Sequence, residues 1–422
     1  MIKVNGKYVN INTTLNKNIF YLALVQGSAY ILPLLTFPYL VRVLGPTNFG
    51  ILGFCQATMQ YLVILTDYGF NLTATQVVAR KRENKDKLTV LFWNVIWSKC
   101  FLAFMAFFAL FLMCLWIPKY QNNWYVLLAF TPMVLGNVIY PIWFFQGMEK
   151  MKWITVCTIC ARLILIPWVF VYVNSPDDIW IAALAQGATN LIAGLIGCLM
   201  IYSHGWVGKL TFSIKEIKEC LYNGWHVFAS TSAISLYTTS TVVILGFLSG
   251  TTAVGYFNAA NTIRNAVQGL LNPITQAIYP RINYLYDNDY PKCISLIRKS
   301  LNGIGCLSFL TSLFLFVFSP IIIKYGVGEN YSNAATVLRI LSFLPFIVSL
   351  SNIFGVQTML THGLKKQFSR ILIFAGVGNL LVIFPLITFF KEDGAALSML
   401  FTEAMVTAAM FFYLQKNRIL FR

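Results

Sequence analysis

The sequence is poor in charge. Only 11% of its 422 residues are Asp, Glu, Lys or Arg, less than half the share in an ordinary soluble domain, about 25%. Acid is the scarcer sign: 14 Asp and Glu stand against 31 Lys and Arg. The shortage runs from end to end and comes with 58% hydrophobic residues, which excludes a soluble fold and implies a polytopic membrane protein. Catalytic signatures are missing as well. There is no P-loop, no G-x-S-x-G and no pair of carboxylates at catalytic spacing, which speaks against an ATP-driven pump and against a hydrolase. The three His (His204, His226, His362) do not converge with cysteines into a metal pattern. The Cys157-x-x-Cys160 pair lies inside an apolar run, where small apolar packing is the expected role. No cleavable signal is expected, because residues 1–17 are polar and the first apolar run is long enough to span.

What is present is a series of long apolar runs. A crossing needs about 20 such residues, and twelve runs qualify: 18–41, 48–70, 88–115, 124–146, 153–173, 178–202, 224–248, 253–279, 300–320, 334–358, 369–390 and 394–415. The net charge of +17 would suit a nucleic-acid partner. Its distribution assigns it to topology instead. Basic residues fill every second loop: Lys3, Lys7 and Lys17, then Arg80 to Lys87, Lys150 and Lys152, Lys209 to Lys218, Arg281 to Lys299, Lys365 to Arg370, and Lys416 to Arg422. The alternate loops hold only Lys119, Lys324 and Lys391. The positive-inside rule then puts both termini in the cytoplasm. Outer loops are short, leaving no room for an extracytoplasmic active site. The longer inner connections, 203–223 and 280–299, are amphipathic and basic and are expected on the membrane surface.

The chain is organised around residues 34–71, where two apolar runs meet at Gly45-Pro46-Thr47-Asn48. Gln56, Gln60, Asp67 and Asn71 share one helix face in the second run, a stripe that should face a bundle interior or a water-filled path. A shift of 205 residues lays Gly45 and Gly50 on Gly250 and Gly255. The same shift lays the stripe on Asn261, Asn265, Asn272 and Gln276. The expected architecture is all-α: twelve transmembrane helices in two pseudo-symmetric six-helix bundles, 1–210 and 211–422, around a central cavity. Pro33, Pro38, Pro132, Pro141, Pro167, Pro273, Pro345 and Pro385 fall inside the runs and permit kinks.

Seven charges escape the topological explanation: Lys99, Arg162, Arg264, Arg339, Asp67 and Glu403 within runs, and Arg42 at a rim. A charge at mid-membrane costs roughly 2.5–3.5 kcal/mol even on the lenient insertion scale, so it usually faces the interior and binds something. Arg264 stands among Asn258, Asn261, Asn265, Gln268 and Asn272, an arrangement suited to an anion; a salt bridge to Asp67 or Glu403 is the alternative. Lys99 and Arg162 either join that site or snorkel. Arg339 sits near an outer end, where snorkelling is favoured. Arg42 either binds or caps the first helix. Glu403 is a lone carboxylate in an apolar run and a candidate for ion or proton coupling. Asp67 is expected to pair with Arg80 or Arg82, with coupling as its second reading.

The run QGSAYILPLLTFPYLVRVLGPTNFG, the following DYGFNLTATQVVARKR, and PIWFFQGMEKMKWIT at Pro141 to Thr155 resemble the Wzx-type O-antigen and capsule repeat-unit flippases of the multidrug/oligosaccharidyl-lipid/polysaccharide exporter superfamily. VLRILSFLPF at Val337 to Phe346 is a local echo. The resemblance implies a cell inner membrane location, alternating access and no enzymatic activity. It implies that undecaprenyl-diphosphate-linked oligosaccharide is moved from the cytoplasmic to the outer leaflet for O-antigen or capsule synthesis. Coupling to H+ or Na+, no other cofactor, and the pathway's polymerase and chain-length regulator as partners are expectations that stand beside the resemblance. Arg264 is similar in placement to an arginine in the eighth helix of related lipid flippases. Arg264, Arg162 and Lys99 would hold the diphosphate or acidic sugars. Arg339, Arg42, Asn261, Asn265 and Gln60 would complete the substrate set, with Glu403 and Asp67 coupling the ion. Two rivals are a multidrug antiporter of the same superfamily, disfavoured by the basic excess, and a polymerase or ligase of the same pathway, disfavoured by the short outer loops. A major-facilitator carrier is disfavoured because ARKRENKDK lacks that family's glycine-flanked Asp-Arg pattern.

Overall fold

A computed structural model describes the backbone of residues 2–4, 7–9 and 11–420, and the side chains of residues 33–420 other than 226, 230, 233, 234, 236–238, 273, 276 and 277. The side chains of Lys3, Lys7, Lys17, His226, Pro273, Gln276 and Arg422 therefore lie outside the described residues. A short hairpin, Ile2–Val4 paired with Lys7–Val9, precedes an otherwise helical chain.

Eight helical runs are long and apolar enough to cross a membrane. Two of them are folded back on themselves. The run Ile11–Asp67 turns at Gly45 (φ 70°, ψ 172°) and Lys365–Lys416 turns at Lys391 (φ 48°, ψ −123°), so each crosses twice. The more polar runs Ile214–Thr238, continued by the short apolar helix Ser240–Ser249, and Thr251–Asn288 complete twelve crossings among the described residues. Proline sets the breaks. The fourth crossing is split into Trp124–Ala129, Thr131–Ile139 and Ile142–Gly147, with Pro132 at the start of the second piece and Pro141 capping the third. Those are the positions where a missing N–H costs least. The tenth crossing is split into Ala334–Leu341, Leu344–Asn352 and a π-helix, Ile353–Leu360.

The second crossing departs from expectation. It stops at Asp67 instead of running to residue 70, and a new helix, Phe70–Lys81, begins after Tyr68 (φ 46°) and Gly69 (φ 78°). The stripe of Gln56, Gln60, Asp67 and Asn71 is therefore not one continuous helix face. Gln56 is exposed and Gln60 half-buried.

The chain forms two compact units. One comprises Met1–Thr36 and Cys55–Ser232, the other Phe37–Phe54 and Ala233–Arg422. The first is cored by Phe92, Tyr140, Trp143, Phe144, Phe145 and Cys157. The second is cored by Ile282, Ile297, Phe354, Met359, Met410 and Leu414.

Within the second unit the two glycine turns meet. Gly250 repeats the backbone of Gly45 (φ 90°, ψ 175°). A Cβ on Gly50 would stand 1.7 Å from the Thr251 carbonyl oxygen, and one on Gly255 would stand 2.0 Å from the Pro46 carbonyl oxygen. Thr47 Oγ1 and Thr252 Oγ1 share a hydrogen bond of 3.0 Å across a separation of 205 residues. The contact is reciprocal at the offset that relates the two glycine pairs in sequence. Only glycine permits so close a backbone approach.

Candidate functional site

The polar helix Thr251–Asn288 carries the first cluster. Arg264 is 9% exposed, and its Nη2 donates to Asn261 Oδ1 at 2.6 Å. One turn on, Gln268 Nε2 donates to Asn272 Oδ1 at 3.4 Å. Thr275 Oγ1 donates to the Asn272 carbonyl, and the Thr275 carbonyl accepts from Gln357 Nε2 at 3.4 Å, so the amide row continues onto the π-helix. Gln357 is fully buried and its Oε1 has no hydrogen-bond partner. Asn265 is exposed and stands outside this row, in contrast to the expected single stripe. Glu403 is half-buried in the field of Arg264. Thr402, its neighbour, accepts from Asn379 Nδ2 at 2.7 Å. Arginine, amides and carboxylate thus form one polar interior in an apolar unit, an arrangement able to hold an anion by charge and its hydroxyls by hydrogen bonds.

The two other candidate cations of this unit are peripheral. Arg42 is exposed, and its Nη2 donates to the Tyr325 carbonyl, tying the first turn to the π-helical end of the ninth crossing, Ile323–Val327. Tyr331 Oη donates to the Val41 carbonyl at 3.0 Å beside it. Arg42 therefore braces the end of another crossing rather than capping its own helix. Arg339 is exposed on Ala334–Leu341.

The first unit holds a separate cluster. Lys99 Nζ lies 3.6 Å from Asp67 Oδ1 and donates to the Asn137 carbonyl at 3.1 Å. Asn71 Nδ2 donates to the same Asp67 oxygen at 2.6 Å, and Asn137 Nδ2 donates to Thr66 Oγ1 at 2.8 Å. Lys99 is 1% exposed, so it does not snorkel. Asp67 pairs with Lys99 and not with Arg80 or Arg82; Arg82 bonds Glu149 instead, at 3.3 Å. The break at Tyr68–Gly69 explains the correction. It lies between Asp67 and the basic residues, so Asp67 ends one helix while Arg80 and Arg82 leave on the axis of the next. Arg162 is half-buried within electrostatic reach of Tyr140, whose hydroxyl bonds Thr158 Oγ1 at 2.7 Å. Asn137, Gln357 and Asn379 are residues that sequence reasoning passed over. Each is an amide set in an apolar run, and that setting was the available signal.

Twelve crossings, glycine turns related by one offset, and buried polar clusters define a polytopic membrane fold, and solved structures share it. The chain superposes on an inward-facing multidrug resistance MATE family transporter of the MOP superfamily with a TM-score of 0.75 at 12% identity, covering 94% of this chain and 98% of that one. It superposes on the lipid II flippase MurJ in an inward closed conformation with a TM-score of 0.73 at 12% identity, covering 95% and 87%. At such identities the likeness is one of fold. The sequence is more specific: residues 15–285 match the model of the family described as polysaccharide biosynthesis protein, and the chain belongs to that family. It is 53% identical over 407 residues to a protein of Escherichia coli (strain K12) described as "Putative O-antigen transporter", covering 96% of this chain and 98% of the relative. A Shigella dysenteriae protein of the same description is 31% identical over 398 residues, covering 94% and 99%.

Proposed function

We propose that the chain is a flippase for lipid-linked oligosaccharide repeat units, carrying undecaprenyl-diphosphate-linked glycan from the cytoplasmic to the outer leaflet of the inner membrane. Membership of the polysaccharide family and the two O-antigen transporter relatives support the cargo class. The observation that carries the site is Arg264, buried and bonded to Asn261 at the head of an amide row. A fixed guanidinium suits a diphosphate, and the amides suit sugar hydroxyls. Arg162 is the second cargo cation. Asn261, Asn265, Arg339 and Arg42 in the second unit, and Gln60 in the first, are the remaining cargo candidates. Lys99 acts through Asp67, since it is sealed from contact.

Ion-gradient coupling falls to Glu403, set in the field of Arg264, and to Asp67 in its lysine pair. Arrival of a cation or proton at either carboxylate would weaken its hold on the neighbouring base and bias one state over another. Alternating access between the two leaflets is part of this reading. Both termini are cytoplasmic in this reading.

The test is leaflet-specific. Deleting the chain, with assembly and export enzymes intact, should trap the repeat unit on the cytoplasmic leaflet. Arg264→Ala should reproduce that block at normal protein abundance. Repeat units reaching the outer leaflet normally in the deletion strain would reject the function. Normal export in Arg264→Ala alone would reject the site.

A further inference from the structure

The connection between the sixth and seventh crossings belongs to the first unit, and it is held more firmly than a surface loop needs. Between Ser203 and Ile214 the backbone is non-helical. Three hydrogen bonds tie it to the third crossing, Lys85–Trp116. Gly208 N–H donates to Thr89 Oγ1 at 2.8 Å, Trp93 Nε1 donates to the Gly208 carbonyl at 3.2 Å, and Ser213 N–H donates to Asn94 Oδ1 at 2.9 Å. Thr89 and Asn94 are themselves buried. Trp206 packs beside Phe144 and Phe145, with Lys150 Nζ 3.6 Å from its ring centroid.

Strapped down in this way, the segment alternates. Thr211 and Ser213 are half-buried against the protein, while Leu210, Phe212 and Ile214 are 58%, 61% and 61% exposed. Three large apolar side chains thus keep most of their surface outward on a strapped backbone, Phe212 with one edge of its ring against Trp97 at 5.7 Å between centroids. Around them stand exposed Lys209, Lys215 and Lys218, with Lys85 reaching Gly205 and Lys150 over Trp206. The opposing acids are Glu216, half-buried, and Glu219. An apolar edge rimmed by cations has the chemistry of a surface that enters the headgroup region of an acidic leaflet.

We propose that residues 207–218 form a docking edge for anionic phospholipid: Leu210, Phe212 and Ile214 enter the acyl boundary while Lys209, Lys215 and Lys218 hold the headgroup phosphates. The side-chain bonds from Thr89 and Asn94 keep the edge aimed at the leaflet. Lipid bound there steadies the start of the seventh crossing against the third.

The experiment uses the purified full chain in nanodiscs of phosphatidylcholine, with or without phosphatidylglycerol, and no glycan cargo, so its outcome is separate from that of the transport reading. Adding phosphatidylglycerol should raise Tm, and high salt should abolish the rise because the attraction is screened. The triple variant K209Q/K215Q/K218Q, altered only at exposed positions, should lose most of the rise. Phe212→Ser should lower Tm in both lipids. An equal phosphatidylglycerol response in wild type and triple variant, or none in wild type, overturns the proposal. If Phe212→Ser does not fold, the lysine variant still decides it.

Discussion

Lys99 and Asp67 stabilise each other only as a pair. Lys99 has no exposed surface to retreat to, and Asp67 also accepts from Asn71. Removing one partner of a buried pair leaves an uncompensated charge and costs about 3–5 kcal/mol. Lys99→Met should therefore lower thermal stability sharply, while Lys99→Met combined with Asp67→Asn should recover most of the loss; a double-mutant cycle on Tm reads the difference. Each charge was legible in the sequence, because a charge in an apolar run stands out. Their partnership was not. It depends on Tyr68 and Gly69 taking left-handed backbone angles, and a tyrosine before a glycine announces no such break. Arg264 was easier, because its amide neighbours recur at helical spacing and the helix is continuous there. Lysine at that position would keep the charge but lose the planar fork, so Arg264→Lys should export less glycan than wild type and more than Arg264→Ala at equal protein abundance.

At the scale of elements, the two glycine turns are the most constrained part of the fold. Gly50→Ala and Gly255→Ala each set a methyl group against a backbone oxygen that has no freedom to yield. Either should prevent the turns from closing and reduce export, whereas Thr47→Ala removes only one hydroxyl bond and should cost far less. Cysteines at 47 and 252 should cross-link under mild oxidation, detected as a mobility shift on a gel, because the native hydroxyls already touch. These turns were legible because glycine before proline is strong punctuation at Gly45-Pro46 and the offset repeated the glycine at Gly250. The π-helix Ile353–Leu360 was not, since no composition marks one. Just beyond it, His362 Nδ1 lies 2.7 Å from the Thr358 carbonyl and Nε2 lies 3.3 Å from Tyr290 Oη. Tyr286 also packs on the ring. Burial holds the imidazole pKa below its usual value, with the Thr358 contact opposing weakly. The unfolded chain then binds the proton more readily, so stability should be full above the ordinary histidine range, about pH 6.5, and should decline as pH falls through it. His362→Gln should flatten that part of the Tm-against-pH curve.

For the whole molecule, the scarcity of charge and its alternation between loops carried most of the architecture. The same alternation predicts that a fluorescent protein fused after Arg422 will fold and fluoresce in the cytoplasm, while a phosphatase fused there will be inactive. The proposed cargo was never legible in composition; motifs and relatives support it. One feature reaches back beyond the present chain. Where Gly50 meets residue 251 and Gly255 meets residue 46, the contact maps onto itself when the two halves are exchanged. That is the defining property of an isologous interface, the kind found across the two-fold axis of a homodimer. A half-length ancestor bearing one such turn would have carried a patch complementary to its own copy, and fusion of two copies would have enclosed that dimer contact within a single polypeptide.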